Sequence, residues 1–126
     1  MSHTILAVDD SPIVRKMMQR TLSDGGYEVA LAEDGVLALE RFKQGGIDLV
    51  ITDVNMPNMD GLQLIREIRK INEHVPILTL TTETEDSLKR EGQAGGADGW
   101  IVKPPNERII LDKISGLLSR SSEPLI

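Results

Sequence analysis

The sequence lacks residues and motifs that several classes of protein need. It contains no cysteine, which excludes disulfides, thiol catalysis and thiolate metal sites. Its two histidines, His3 and His74, are too few for a histidine-rich metal site. No Gly-x-x-x-x-Gly-Lys-Ser/Thr motif occurs, so P-loop phosphate chemistry is excluded as well.

Long apolar runs and an excess of positive charge are also missing. No stretch approaches the roughly 18 apolar residues of a membrane span, and no basic segment followed by an apolar run opens the chain. We therefore expect a cytoplasmic protein without membrane contact. The 20 acidic residues outnumber the 14 basic ones, and the net charge of -6 argues against nucleic acid as a direct partner.

Short apolar runs alternate with longer amphipathic segments. The short runs are rich in Val, Ile and Leu without polar alternation, which is typical of parallel strands buried on both faces. They occupy residues 5–8, 29–31, 47–51, 77–80 and 100–102. Five successive β-α units predict an α/β fold, in which helices cover both faces of a parallel sheet and ligands bind beyond the carboxyl ends of the strands.

Capping residues and apolar spacing predict the helices. They begin near Pro12, Asp34, Asp60 and Asn106, and the first two stop at 25–26 and 45–46. Their apolar faces comprise Val14, Met17, Met18, Thr21 and Leu22; Leu39 and Phe42; Leu62, Ile65, Ile68 and Ile71; and Ile110, Ile114, Leu117 and Leu118. A further helix at 83–94 has little apolar face, so we expect it to be the most mobile element. We expect one domain over 1–126, with 121–126 as a frayed tail.

Carboxylates follow two of the predicted strands. Asp9 and Asp10 end the first strand, and Asp53 ends the third. If these strands are neighbours, about 4.8 Å apart, three negative charges crowd one crevice and need a cation. Oxygen ligands without His or Cys favour Mg²⁺ over Zn²⁺.

Two more strand ends supply groups that suit a phosphoryl group. Thr81 offers a hydroxyl after the fourth strand, and Lys103 offers an ammonium after the fifth. Asp53 is then placed to act as a nucleophile that forms an aspartyl phosphate, with Mg²⁺ and Lys103 neutralising the charge in transfer.

The whole pattern resembles the receiver domain of two-component response regulators, in particular CheY-like single-domain receivers. The resemblance rests on Asp9–Asp10, Asp53 within DVNMPNMDG, Thr81 after ILTL, and Lys103 within WIVKP. Its order and spacing extend over essentially the whole chain. It implies a flavodoxin-like (βα)5 doubly wound sheet with strand order 2-1-3-4-5.

The resemblance also implies roles for these residues. Asp53 accepts a phosphoryl group from a histidine kinase or phosphotransfer protein, while Thr81 and Lys103 hold the phosphoryl oxygens. Asp9, Asp10, Asp53 and the backbone carbonyl of Asn55 form the Mg²⁺ site, in which Mn²⁺ is expected to substitute. Thr81 and Trp100 act as switch residues that reshape the face formed by helix 83–94, the fifth strand and the last helix, where an output protein binds.

Three positions near the pocket are expected to modulate the phosphoryl group. Asn55 and Glu83 match the CheY-like pattern and favour self-hydrolysis, whereas Thr82 stands where Ala or Gly is usual. Pro105 and Trp100 also depart from the common residues, Phe for the first and Tyr or Phe for the second.

Several functions fit these residues. A phosphorylation-controlled signalling module with a chemotaxis-type output is the principal hypothesis, beside a phosphate sink or a phosphorelay intermediate. A phosphatase of the haloacid dehalogenase type also uses an aspartyl phosphate, but its two aspartates are spaced two residues apart rather than adjacent. A pseudo-receiver that takes no phosphate is the remaining alternative. We therefore expect a signalling protein rather than an enzyme.

Overall fold

The computed structural model describes residues 3–54, 56, 58–81, 96–103 and 106–122. These residues form five strands, β1 (Thr4–Val8), β2 (Glu28–Ala32), β3 (Leu49–Asp53), β4 (Ile77–Thr81) and β5 (Gly99–Val102). The helices are α1 (Pro12–Asp24), α2 (Gly35–Lys43), α3 (Gly61–Ile71) and a C-terminal helix (Glu107–Ser122). The helix predicted at 83–94 lies outside the described residues. The C-terminal helix includes residues 121 and 122, which the sequence predicted to belong to a frayed tail.

The five strands form one parallel sheet in the order β2-β1-β3-β4-β5, which confirms the predicted flavodoxin-like topology. Val8 at the end of β1 lies opposite Thr52 of β3, and Asp53 lies opposite Leu80 of β4. Thr81 in turn pairs with Val102 of β5. The carboxyl ends of four strands therefore meet at one edge, where the sequence places its acidic and basic residues.

Two apolar layers enclose the sheet, because successive side chains of a strand point to opposite faces. Odd-numbered residues of β1 and β3 face α1 and the C-terminal helix, and the even-numbered ones face α2 and α3. The first layer contains Ile5, Ala7, Met18, Leu22, Ile51, Leu80, Ile110 and Ile114. The second contains Leu6, Val8, Ala38, Phe42, Val50, Leu64, Ile65 and Ile68. This division confirms helices on both faces.

The prediction that all five strands are buried on both faces is wrong for the two edge strands: in β5 only Ile101 is buried, and β2 departs in the same way. Only Ala32 of this strand is buried, and Leu31 is 38% exposed. The reason is position in the sheet, since β2 lies at its edge beside β1. An apolar run of three residues does not distinguish an edge strand from a central one.

Two further predictions needed correction. Strand β3 runs from Leu49 to Asp53 rather than over 47–51, because its pairing with β1 and β4 extends past the apolar run. The buried face of α3 contains Leu64 besides Ile65 and Ile68, while Ile71 is 51% exposed. In a helix of 3.6 residues per turn, residues spaced by three are offset by about 60° around the helix axis. The predicted apolar residues, each three positions apart, therefore could not all lie on one face.

Side-chain caps begin the helices where the sequence predicted them. Asp34 Oδ1 accepts a hydrogen bond from the Leu37 N–H at 2.9 Å, and Asp60 Oδ1 accepts one from the Gln63 N–H at 2.8 Å. Asn106 does the same at the start of the C-terminal helix. These caps satisfy N–H groups that have no partner within the helix, and they set the direction in which each helix leaves the sheet edge.

Candidate functional site

Three carboxylates converge at the sheet edge. Asp9 directly follows β1, Asp53 is the last residue of β3, and Asp10 follows Asp9. One oxygen of each lies within 4.8 Å of the others. Asp9 and Asp53 are buried, at 0% and 5% exposure, whereas Asp10 is exposed. The structure thus brings together the acidic residues that the sequence singled out.

Lys103 provides the counter-charge. It directly follows β5, and its Nζ atom lies 2.9 Å from Asp9 Oδ2 and 3.1 Å from Asp53 Oδ2. The side chain is 18% exposed. Burial by itself lowers the pKa of Lys103, but the adjacent carboxylates of Asp9 and Asp53 outweigh burial and raise the pKa above its ordinary value of 10.5. Lys103 is therefore a fixed positive charge at neutral pH.

One lysine does not neutralise three carboxylates. Asp9 Oδ1 accepts a hydrogen bond from the Ser11 N–H at 2.9 Å, and its buried Oδ2 is paired with the Lys103 ammonium at 2.9 Å. Because the same ammonium also pairs with Asp53, the three clustered carboxylates retain an excess of negative charge. Clustered carboxylate oxygens with excess negative charge fit a hard divalent cation such as Mg²⁺.

The backbone around Asp53 is tightly packed. A Cβ atom on Gly61 would collide with the Asp53 carbonyl oxygen, so only glycine permits this approach. The Gly61 N–H also donates to the Val54 carbonyl at 2.8 Å, which closes the loop between β3 and α3. Thr52 Oγ1 donates to the Asp53 carbonyl at 2.9 Å. These contacts hold the end of β3 in place.

A contact that the sequence did not predict joins this loop to α2. Asn58 has a left-handed backbone, with φ of 69°, and its Nδ2 donates to Asp34 Oδ2 at 3.1 Å. The Leu37 N–H lowers the pKa of Asp34 below its ordinary value of 3.8, and Asn58 lowers it further against the opposing effect of burial. The sequence predicted only a cap at Asp34. The only hint in the sequence of the contact between Asp34 and Asn58 was that Asn tolerates a left-handed backbone, as in a tight loop.

The predicted switch residues lie on neighbouring strands. Thr81 ends β4, and Trp100 lies on β5 with a half-buried side chain. The ammonium of Lys113 lies 5.8 Å from the centroid of the Trp100 ring, within range of a cation–π contact. The predicted modulators Asn55, Thr82 and Glu83, together with Pro105, lie outside the described residues.

Comparison with known proteins identifies the family. The family model for the response regulator receiver domain matches residues 5–115. The chain belongs to the receiver domain family. Members accept a phosphoryl group in two-component signalling, and the Asp9, Asp10 and Asp53 cluster forms the acidic site of this receiver. Receiver domains are signalling modules, so the family assignment sets the haloacid dehalogenase alternative aside for residues 5–115.

Individual relatives agree with this assignment. The receiver is 42% identical over 93% of its length to the response regulator MprA of Mycobacterium leprae, but spans only 51% of that protein. It is 43% identical to the chemotaxis protein CheY4 of Vibrio cholerae, with a TM-score of 0.88, covering 93% of this chain and 99% of that one. The chain thus spans about half the length of the curated relatives it matches.

A second similar structure bears on the metal. The receiver domain of a sensor histidine kinase from Pseudomonas aeruginosa holds a magnesium ion coordinated in its active-site cleft. It is 25% identical to this receiver, with a TM-score of 0.87, covering 94% of this chain and 99% of that one. The acidic triad here is typical of such magnesium-binding receiver sites.

Among the helices of the described residues, none has the length and apolar character of a membrane-spanning segment.

Proposed function

We propose that Asp53 is the phosphoacceptor of this receiver and that a histidine kinase or phosphotransfer protein is the donor. The observation that carries the proposal is the Lys103 ammonium between the Asp9 and Asp53 carboxylates. Asp9 is enclosed and already holds the Ser11 N–H, and Asp10 is exposed and lacks the lysine contact. Asp53 combines a neutralising cation with the end of a central strand, which suits a nucleophile that must meet a phosphate group.

The transfer follows from these groups. A carboxylate oxygen of Asp53 attacks the phosphorus of phosphohistidine, a P–O bond forms, and the P–N bond breaks. The electron pair passes to the imidazole nitrogen, which takes a proton from solvent. Lys103 and the Thr81 hydroxyl hold the phosphoryl oxygens.

The metal site consists of Asp9, Asp10, Asp53 and the backbone carbonyl of Asn55. Mg²⁺, for which Mn²⁺ substitutes, neutralises charge on the transferred group when bound. Asn55, Thr82 and Glu83 set how fast the phosphoryl group is lost to water. The cluster of three carboxylates beside one lysine supports this assignment, because a divalent cation balances the excess negative charge.

The output is binding of a partner protein to the face that includes β5 and the C-terminal helix, with Thr81 and Trp100 as the switch. Val102 and Ile109 on this face are about half exposed, at 49% and 48%, beside the half-buried Trp100. We favour a chemotaxis-type output because the match to CheY4 covers almost all of that protein. Residues 1–126 would then act as one receiver domain in the cytoplasm, where receiver domains usually occur.

Intact mass spectrometry after incubation with acetyl phosphate and Mg²⁺ tests the proposal. We expect one acid-stable, base-labile phosphoryl adduct on the wild type and none on Asp53→Asn or in EDTA. Asp60→Asn is the matched control, since it removes a carboxylate from the same loop but keeps a capping side chain. An adduct that persists on Asp53→Asn, or none on the wild type under conditions that label another receiver, would refute the proposal.

A further inference from the structure

Arg15 contacts the acidic site from the first turns of α1, although the phosphoryl transfer described above does not use it. Its Nη1 donates to the backbone carbonyl of Asp9 at 2.7 Å, and the side chain is half-buried. The contact spans six residues, from a helix back to the turn that precedes it. No motif in the sequence singles out this arginine.

The turn between β1 and α1 is held on both sides of Asp9. The Asp9 N–H donates to the Ala32 carbonyl at 3.2 Å, and Asp9 Oδ1 accepts from the Ser11 N–H at 2.9 Å. The Arg15 guanidinium fixes the remaining backbone group, the Asp9 carbonyl. Because a peptide unit is planar, fixing this carbonyl also fixes the nitrogen of Asp10.

Asp10 is the carboxylate that depends most on this turn. Its side chain is exposed, and within the described residues no hydrogen bond holds it. Nevertheless one of its oxygens lies within 4.8 Å of those of Asp9 and Asp53. The backbone therefore sets only the point from which the Asp10 side chain reaches the cluster, and Arg15 holds the peptide unit at that point.

We propose that Arg15 is a positioning residue that orients Asp10 for the divalent cation. The inference rests on the proposed function, because it requires a metal at the acidic site. Charge alone makes the opposite prediction: a guanidinium beside the cluster repels a cation, so its removal should strengthen metal binding. Positioning predicts that its removal weakens binding. The sign of the change therefore separates the two effects.

The test measures Mn²⁺ affinity of the unphosphorylated protein by electron paramagnetic resonance of the free ion, and Mg²⁺ affinity by calorimetry. The variants are Arg15→Ala and Arg15→Gln, whose shorter side chain does not reach the Asp9 carbonyl. We expect both to raise the dissociation constant about threefold to tenfold, as for loss of one hydrogen bond of typical net strength. Lys16→Ala, which removes the exposed positive charge of the next residue, is the matched control and should leave the affinity unchanged or slightly higher.

A second readout separates positioning from general loss of structure. With acetyl phosphate as donor, the Arg15 variants should need more Mg²⁺ for half-maximal phosphorylation but reach the wild-type rate at saturating Mg²⁺. Unchanged or tighter metal binding in both variants would overturn the inference, as would a lowered plateau without a shift in the Mg²⁺ dependence. Failure of the wild type itself to bind metal would instead refute the proposed function.

Discussion

Replacing Lys103 by Met should destabilise the metal-free protein, because it leaves three carboxylates without their counter-charge. Methionine retains an unbranched apolar stem of similar length and removes only the ammonium. The substitution therefore abolishes the ion pairs of Nζ with Asp9 Oδ2 at 2.9 Å and with Asp53 Oδ2 at 3.1 Å. Added Mg²⁺ replaces part of the missing charge, so the variant should gain more stability from Mg²⁺ than the wild type does.

The magnitude has limits that follow from the structure. An exposed ion pair contributes at most about 1 kcal/mol, and this pair is more buried, since Lys103 is 18% and Asp9 0% exposed. Removing one partner of a fully buried ion pair costs about 3 to 5 kcal/mol, and the partial exposure of Lys103 reduces this figure. We therefore expect a loss of about 1 to 4 kcal/mol. For a chain of this size the loss corresponds to a fall in Tm of roughly 4 to 16 °C.

Thermal unfolding of the wild type and Lys103→Met in EDTA and across a Mg²⁺ titration measures both effects. The raised pKa of Lys103 adds a pH condition: its stabilisation is fully present below 10.5 and is lost as the pH rises beyond that value, so the deficit should stay constant between about pH 7 and 9. Lys70→Met is the control, because Lys70 forms an ion pair of similar length with Glu67 on the surface, with the lysine 71% exposed. Equal stability of Lys103→Met and wild type in EDTA would refute the charge argument.

Four other substitutions have defined outcomes. Gly61→Ala should cost about 1 to 3 kcal/mol in urea unfolding, because its Cβ would collide with the Asp53 carbonyl. Gly116→Ala has open space around the new Cβ and should stabilise the protein by about 0.5 to 1 kcal/mol. Equal effects of the two substitutions would contradict the steric argument. Asp34→Ala should cost about 1 kcal/mol of unfolding free energy at pH 7, because the helix loses its cap. The pKa of Asp34 is lowered, so its stabilisation fades as the pH falls below 3.8 and the difference from wild type should shrink in acid unfolding. A difference that grows in acid would count against the cap. Arg69→Ala should cost about 2 to 3 kcal/mol in urea unfolding. The half-buried Arg69 guanidinium binds three backbone carbonyls and a carboxylate between the end of α3 and the start of β5. A loss below about 0.5 kcal/mol would show that water replaces the guanidinium as their hydrogen-bond partner.

Local chemistry explains why much of the fold could be predicted. Apolar runs bounded by Gly and Asp define strand and helix positions within a few residues, and Asp60 and Asn106 cap helices as their residue types predict. The predicted strand order and the crowding of Asp9 and Asp53 were confirmed as well. The strand positions and caps depend on residue type and period, which are local, whereas the strand order came from the resemblance to the receiver family.

Errors arose where exposure depends on distant neighbours. Leu31 is exposed because β2 lies at the edge of the sheet, and Ile71 is exposed because the buried face of α3 lies elsewhere. The apolar character of a side chain does not indicate whether another element of the fold packs against it. Strand order and helix rotation decide that, and they are properties of the packed chain.

The sequence by itself determined that carboxylates, a hydroxyl and a lysine stand at the ends of parallel strands, because residue type and periodicity are local. Only the tertiary structure decided that Lys103 lies 3.1 Å from Asp53, 50 residues away in the chain, and that Arg15 holds the Asp9 carbonyl. Distances of this kind depend on strand register and on side-chain direction, and these are set when the sheet and its two helical layers pack together. The identity of the reacting groups is thus local, and their geometry is a property of the fold.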